Sequence, residues 1–202
     1  MDLQPLPQDF FARPATDVAP DLIGMLLVHE HPEGRMVGRV VETEAYTLHD
    51  PACHAWSLLD QETGAIRKEG RGAALFGPPG EAYVYLCYGM YWLLNAVTAP
   101  EGECGAALVR AVEPLEGVEQ MRPRRSAARR TVDLTNGPGK LTQAFDIGEP
   151  QHGTMLTERP LFFAKPRKSQ DVPLESSPRI GISRATKRKW RWTHAASPFV
   201  SR

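Results

Sequence analysis

Residues 82–100 run for 19 positions without a charged side chain, bounded by Glu81 and Glu101. That length meets the criterion for a membrane-spanning helix. The content does not, because Tyr83, Tyr85, Tyr88, Gly89, Tyr91 and Asn95 interrupt it and the alternation has the period of a strand. AYVYLCY and YWLLNAV therefore predict two strands flanking Gly89, a hairpin with Tyr88 and Gly89 near its tip. Four of the five tyrosines of the chain fall within nine residues here, with Tyr83 and Tyr85 on one strand face. An aromatic at a hairpin tip has little core to enter, whereas its flat face can stack on a nucleobase or wedge between base steps. A tyrosine-rich surface that packs on itself explains the same composition equally well.

The rest of the 202-residue chain reads as strands with short helices between them. An apolar stretch at 18–28 predicts a first helix. Met36–Tyr46 (MVGRVVETEAY) is rich in β-branched residues and predicts a strand. Residues 47–81 are loop-like, with HDPACH, a charged patch at 67–71 and the turn sequence GPPG. CGAALVRAVEP at 104–114 predicts a strand that leads into a short helix at 114–122, and MRPRRSAARR at 121–130 reads as a mobile basic loop. In NGPGKLTQAFDI, Pro and Gly precede an amphipathic run, the pattern of a helix start. Strands and loops follow from Gln151, ending in the basic cluster RATKRKWRW. Without a regular βαβ alternation the pattern implies an α+β fold, and no linker divides residues 1–202 into domains.

In VVETEAY, the period of two puts Glu42, Glu44 and Tyr46 on one face. Two carboxylates and a phenol are costly to bury on an apolar strand, and one carboxylate tuned by burial can serve as a general base. An edge strand with a solvated polar face is the plainer explanation of the same pattern. Asn95 in YWLLNAV and Arg110 in ALVRAV are polar groups inside apolar runs, each needing a partner, whether structural or a ligand. His49, Asp50, Cys53 and His54 suggest a metal, but no second pair with ligand spacing accompanies them, so no metal is expected. No Walker loop, dinucleotide fingerprint or nucleophile elbow occurs, while NGPGK can offer backbone amides and Lys140 to a phosphate.

Charge reinforces the nucleic-acid theme only when read by halves. The 24 basic and 24 acidic side chains cancel, which by itself argues against a nucleic-acid binder. Residues 1–100 hold 6 basic and 13 acidic residues, and residues 101–202 hold 18 and 11, an asymmetry that hints at an anionic partner. The 42% apolar content excludes a disordered chain. Three cysteines without a CxxC pair suit a reducing compartment, and the acidic, Pro-interrupted start is not a signal peptide. A cytoplasmic protein is expected, nucleoid-associated in a prokaryote or nuclear in a eukaryote.

VVETEAY, HAW, FGPPGEAYVYLCYGMYWLLN, ALVRAVEPLEG, LTNGPGKLTQA, PRIGIS and SPFVSR, in that order, resemble the alkyladenine (3-methyladenine) DNA glycosylase family, the single-domain type also found in mammals. The resemblance runs from about residue 8 to the C-terminus. It implies one domain with a mixed, mostly antiparallel curved sheet, surrounding helices and a protruding β-hairpin. It implies a monofunctional glycosylase of base excision repair that flips alkylated or deaminated purines out of duplex DNA and hydrolyses the N-glycosidic bond. On that resemblance Glu44 matches the general base and Arg110 the arginine that helps hold the water and the flipped nucleotide. Tyr46, His54 and Tyr85 match the aromatic pocket walls, Asn95 the asparagine that crowds a 2-amino group, and Tyr88 the intercalating residue. Arg71, Met90, Tyr91 and Lys140 are candidates for contacts to the DNA backbone, with further phosphate contacts expected in 122–130 and 184–191. No cofactor is implied, and the expected partner of a monomer is double-stranded DNA with a damaged purine, not a membrane.

The chain departs from the family between His54 and Phe76, where GAIRKEGRGAALF replaces a Thr-x-Arg-Asn type segment and Gly72 stands at the Asn. The rival from another class is a non-catalytic damage-binding protein that uses the tyrosine hairpin as a wedge. It needs Tyr88 and the basic half but not Glu44. An enzyme acting on RNA or free nucleosides is a third reading.

Overall fold

The computed structural model describes residues 3–67, 69–167 and 173–201, so Lys68 of the charged patch lies outside the described residues. Its organising element is the 14-residue strand β2 (Gly34–Thr47). One edge of β2 pairs with β5 (Gly105–Glu116) along most of its length. The other edge is shared between β1 (Leu26–His31), beside its first half, and β8 (Arg191–His194), beside Glu42–Glu44. Outward from β5 follow β4 (Tyr91–Thr98) and β3 (Ala82–Cys87); outward from β1 lies β6 (Leu161–Ala164), and β7 (Leu174–Ser177) pairs with β8. Every strand pairing is antiparallel, giving one eight-stranded sheet that branches at β2.

The pleat separates two packing faces. Ala45, Val84, Leu94, Ala96, Ala107 and Val109 point toward α1 (Gln8–Phe11), α2 (Ala15–Asp21) and α4 (Pro138–Phe145), where Phe11, Val18, Leu141 and Phe145 complete the main core. On the opposite face Tyr83, Val97 and Ala106 pack under Cys53, Ala55, Leu75 and Phe76. Ala55, Leu75 and Phe76 belong to two 3-10 helices, His54–Leu58 and Arg71–Phe76, and Cys53 precedes the first, so the segment expected to be a loop is a lid of short turns. The fold class is α+β, as the sequence implies.

Three local expectations need correction. The helix expected at 18–28 is α2, ending at Asp21, while Leu26–His31 is strand β1. A short apolar run fits either state by periodicity, and here the register with β2 decides it. The helix expected at 114–122 is α3 (Val118–Arg124), because β5 continues to Glu116 against Val37. The arginines of 121–130 do not form a loose loop: Arg122 bonds Thr131, Arg124 bonds Glu33, Arg125 bonds Gln143 and Arg130 bonds Asp133.

Candidate active site

One rung of the sheet sets the site. Glu44 on β2 is level with Leu108 on β5, Leu108 with Asn95 on β4, and Asn95 with Tyr83 on β3. Residues in one rung share a face, so Glu44 and Asn95 stand two strand spacings apart, roughly 10 Å, with Leu108 between them. Glu44 is fully buried and its two oxygens are already engaged. Oε2 accepts the Tyr46 hydroxyl at 2.7 Å, Oε1 accepts the backbone N–H of Ile180 at 2.8 Å, and Arg110 Nη1 lies 3.2 Å from Oε1. Burial first, then the charge and the hydrogen bond of Glu44, hold the Tyr46 hydroxyl far above an ordinary phenol, so it remains a donor.

Arg110 is held from behind by Glu42. The β2–β5 register passes from Thr43↔Val109 to Glu42↔Ala111, which makes Arg110 the extra residue of a bulge opposite Glu42. A bulge re-aims a side chain, and here Arg110 Nε donates to Glu42 Oε1 at 2.8 Å while Nη1 reaches Glu44. Glu42 also accepts Arg191 Nε at 2.7 Å, Ser201 N at 2.6 Å and Ser201 Oγ at 2.7 Å. Burial would raise its pKa, but the charge of Arg110 and the bonds from Arg191 and Ser201 outweigh that and leave it below the usual carboxylate value.

The aromatic wall lies across the same face. His54 Nδ1 and the Tyr83 hydroxyl share a 2.7 Å hydrogen bond, and the His54 ring meets Tyr85 edge-on with centroids 4.6 Å apart. Burial, then the nearby charge of Arg71, lowers the His54 pKa and favours the neutral imidazole. Arg71 lies over the Tyr85 ring at 5.7 Å, so one aromatic face already carries a cation. Asn95 is buried and its Nδ2 donates to the Tyr83 carbonyl at 3.1 Å, which locks its amide orientation. Gly72 has a structural reason to be glycine, since a Cβ there would lie 2.6 Å from the His54 carbonyl oxygen. The segment that departs from the family is therefore the one packed directly on the backbone of His54.

At the β3–β4 turn, Tyr88 takes φ +50° and Gly89 φ +68°, and Tyr88 is 86% exposed. A left-handed tyrosine is doubly unfavourable there, strained in its backbone and unburied in its side chain. Met90 and Tyr91 are exposed beside it. Tyr91 reaches α4: a Cβ on Gly139 would lie 2.8 Å from Tyr91 Cβ, and the next residue, Lys140, bonds Asn136 at 2.8 Å. Lys140 lines an open groove of about 470 Å³ with Arg125, Arg129, Arg130 and Asp133. The start of α4, with Lys140, thus packs beside the base of the tyrosine hairpin.

Much of the charge asymmetry, however, is settled inside the fold. Arg110, Arg124, Arg159, Arg179, Arg188 and Arg191 of the second half pair with Glu42, Glu44, Glu33, Glu30 and Asp50 of the first. The two halves neutralise one another across the sheet, so the hint of an anionic partner rests on the remaining cations alone. Arg191, read from sequence as part of a basic surface, supports Glu42 instead. The suspected metal group disperses: Asp50 pairs with Arg179, His54 with Tyr83, and Cys53 lies in the second core beside Cys104. Sequence reasoning missed Arg179, Ser201 and the N–H of Ile180; their signal was that PRIGIS and SPFVSR are among the motifs that carry the family resemblance, without a role attached to any residue in them. Among the described residues no helix is long and apolar enough to cross a membrane.

A buried carboxylate on the same sheet face as a cluster of aromatic side chains, with an exposed aromatic turn at the end of the β3–β4 hairpin that carries two of them, suits a DNA glycosylase, a class of hydrolase. Comparison with known proteins reaches the same class. The methylpurine-DNA glycosylase family matches residues 9–198, and the chain belongs to that family. A protein of Salinibacter ruber, provisionally named a 3-methyladenine DNA glycosylase, is 59% identical over 201 residues, covering 98% of this chain and 97% of its own. Proteins with the same provisional name from Burkholderia lata (43% over 199 residues, 97% and 90% covered) and Prosthecochloris aestuarii (41% over 197 residues, 96% and 90% covered) are also similar.

Proposed function

We propose that this chain is a monofunctional DNA glycosylase that extrudes alkylated or deaminated purines from duplex DNA and hydrolyses the N-glycosidic bond. The observation that carries the reading is the fully buried Glu44 on the same sheet face as Tyr85 and Asn95, with His54 packed on that face against Tyr83 and Tyr85, in a member of the methylpurine-DNA glycosylase family. A base inside the helix is out of reach, so the nucleotide must rotate out at a cost of about a few kcal/mol in stacking and pairing. The base then lies against the Tyr46, His54 and Tyr85 walls. Glu44 takes the proton of a water as that water attacks C1′ of the sugar, and its negative charge stabilises the oxocarbenium character of the breaking bond. Arg110, fixed by Glu42, orients the water and the flipped nucleotide. An alkylated purine leaves readily, which is why one carboxylate suffices, and a cationic base gains from tyrosine faces. Arg71, Met90, Tyr91 and Lys140 contact the DNA backbone, with neighbouring cations setting salt-dependent affinity rather than specificity. The protein acts as a single-domain monomer inside the cell.

The test is base release from duplexes carrying one damaged purine each, chosen from 3-methyladenine, 7-methylguanine, hypoxanthine and etheno-adenine, with free nucleosides and RNA as controls. Binding without release from any of them supports the damage-binding alternative, which family membership and the Glu44 cluster disfavour.

Two substitutions probe the pocket and the turn. Asn95→Ser frees the space opposite a 2-amino group, and release of guanine-type relative to adenine-type lesions rises about tenfold. An unchanged ratio removes Asn95 from the selectivity of the pocket. Tyr88→Asn relieves the left-handed backbone, so the fold gains up to about 1 kcal/mol in stability. Release from duplex DNA falls about tenfold, because the gap left by the flipped base loses its stacking partner, while release from single strands is spared. Equal losses on both substrates would contradict the wedge.

A further inference from the structure

We infer that Arg179, held by Asp50, is a positioning residue for the reaction, coupling the general base to the aromatic wall; the inference rests on the proposed function of Glu44. Both side chains are completely buried. Arg179 makes an ion pair with Asp50 through Nη1, and Nη2 reaches Asp50 Oδ1 at 3.0 Å. Nη1 also donates to the Ala45 carbonyl at 2.8 Å, between Glu44 and Tyr46 in the strand. The guanidinium lies 4.6 Å from the centroid of the Tyr46 ring and 5.4 Å from that of Trp190, so it supports Tyr46 through a cation–π contact.

Its chain neighbour completes the argument. The N–H of Ile180 donates to Glu44 Oε1 at 2.8 Å, so the backbone that follows Arg179 is the one that orients the carboxylate. Asp50 in turn shapes the turn that ends at His54: its Oδ1 accepts the N–H of Ala52 at 3.2 Å, and its carbonyl accepts that of Cys53 at 2.8 Å. One planar fork therefore sets the carboxylate, Tyr46 and the approach to His54 at once. A lysine keeps the charge but not the fork, and cannot bond Ala45 and both Asp50 oxygens together.

The experiment uses the full chain with Arg179→Lys and with Asp50→Asn, each normalised to folded protein. It measures single-turnover base release at saturating enzyme and the affinity for duplex DNA bearing an abasic analogue. Positioning predicts that release slows about ten- to a hundred-fold while affinity changes less than about threefold, since misplacement of a reacting group by about 1 Å has an effect of that size. Arg179→Lys, which retains the cation under Tyr46, keeps more rate than Arg179→Met. Full release rates in folded Arg179→Lys and Asp50→Asn overturn the inference, as does a loss of affinity in proportion to the loss of rate. If Arg179→Lys does not fold, the nearly isosteric Asp50→Asn decides by the same two readings. Glu44→Gln run in parallel separates the two levels: if that variant releases base normally the functional reading fails, and if only the Arg179 and Asp50 variants do, the positioning role alone fails.

Discussion

Glu44→Gln abolishes nearly all base release and leaves DNA binding intact. The glutamine keeps the length and shape of a fully buried side chain and can still accept one of the two donors, Tyr46 or Ile180, that now face the carboxylate. It cannot take a proton from water, and it offers no negative charge to the sugar. Losing a general base costs about 10²–10⁴ in rate, and losing charge stabilisation adds to that. The expected loss is about 10⁴-fold, equivalent to about 5.4 kcal/mol of barrier. Affinity for a duplex with an abasic analogue stays within about threefold, because Tyr88, Arg71 and Lys140 are untouched and reaction and grip are separate functions. The measurement is single-turnover release on the best substrate of the damaged-base panel, with binding by anisotropy. Undiminished release would remove Glu44 from the mechanism and leave the general base to another group of the site.

The parts of this site visible in the sequence were those governed by strand period. VVETEAY alone places Glu42, Glu44 and Tyr46 together, and YVY places Tyr83 with Tyr85, because alternation is a property of each strand by itself. Asn95 and Arg110 stood out as polar residues in apolar runs, and both are buried with partners. Their roles came from the resemblance, not from the pattern. What stayed hidden was long-range pairing. Ser201 meets Glu42 across 159 positions of sequence and Ile180 meets Glu44 across 136, and no local rule reports such a contact. Asp50 misled for the same reason: with His49 and His54 nearby it resembled a ligand group, and its partner Arg179 lies 129 residues away. The N-terminal error had a local cause instead, since Leu22–Val28 is apolar in a way that suits both a helix and a fully buried strand.

Charge arithmetic shows the same limit. The opposite balances of the two halves are real, but an antiparallel sheet that sets β2 between β5 and β8 brings basic and acidic segments side by side. Arg110 and Arg191 face Glu42 across adjacent strands, so counting by halves measures intramolecular complementarity as much as affinity for phosphate. Among the described residues, cations outside those pairs, such as Lys140 and Arg129 of the open groove, carry what is left of the asymmetry.

Arg110→Met is the second large effect, and its pH dependence identifies its cause. The substitution keeps most of the volume of the side chain in its bulge and removes the guanidinium shared by Glu42 and Glu44, both fully buried, leaving Glu42 the Arg191 ion pair. Breaking a buried pair by removing one partner destabilises by about 3–5 kcal/mol, on the order of 10 °C in Tm for a chain of this size. In the native protein the pKa of Glu42 lies below its unfolded value, so its contribution to stability is present above that value, near pH 4.5, and is lost as the pH falls below it. In the variant, burial is offset by Arg191 and Ser201 but no longer by Arg110, so the Glu42 carboxyl shifts upward from its native value. Its neutral form then fills at a higher pH than in the native protein. The stability gap between native protein and variant is therefore widest near neutral pH and narrows as the pH falls toward 4.5 and below, where thermal unfolding of the two side by side measures it. A gap of constant size over that fall would assign the loss to packing at the bulge rather than to the lost counter-ion.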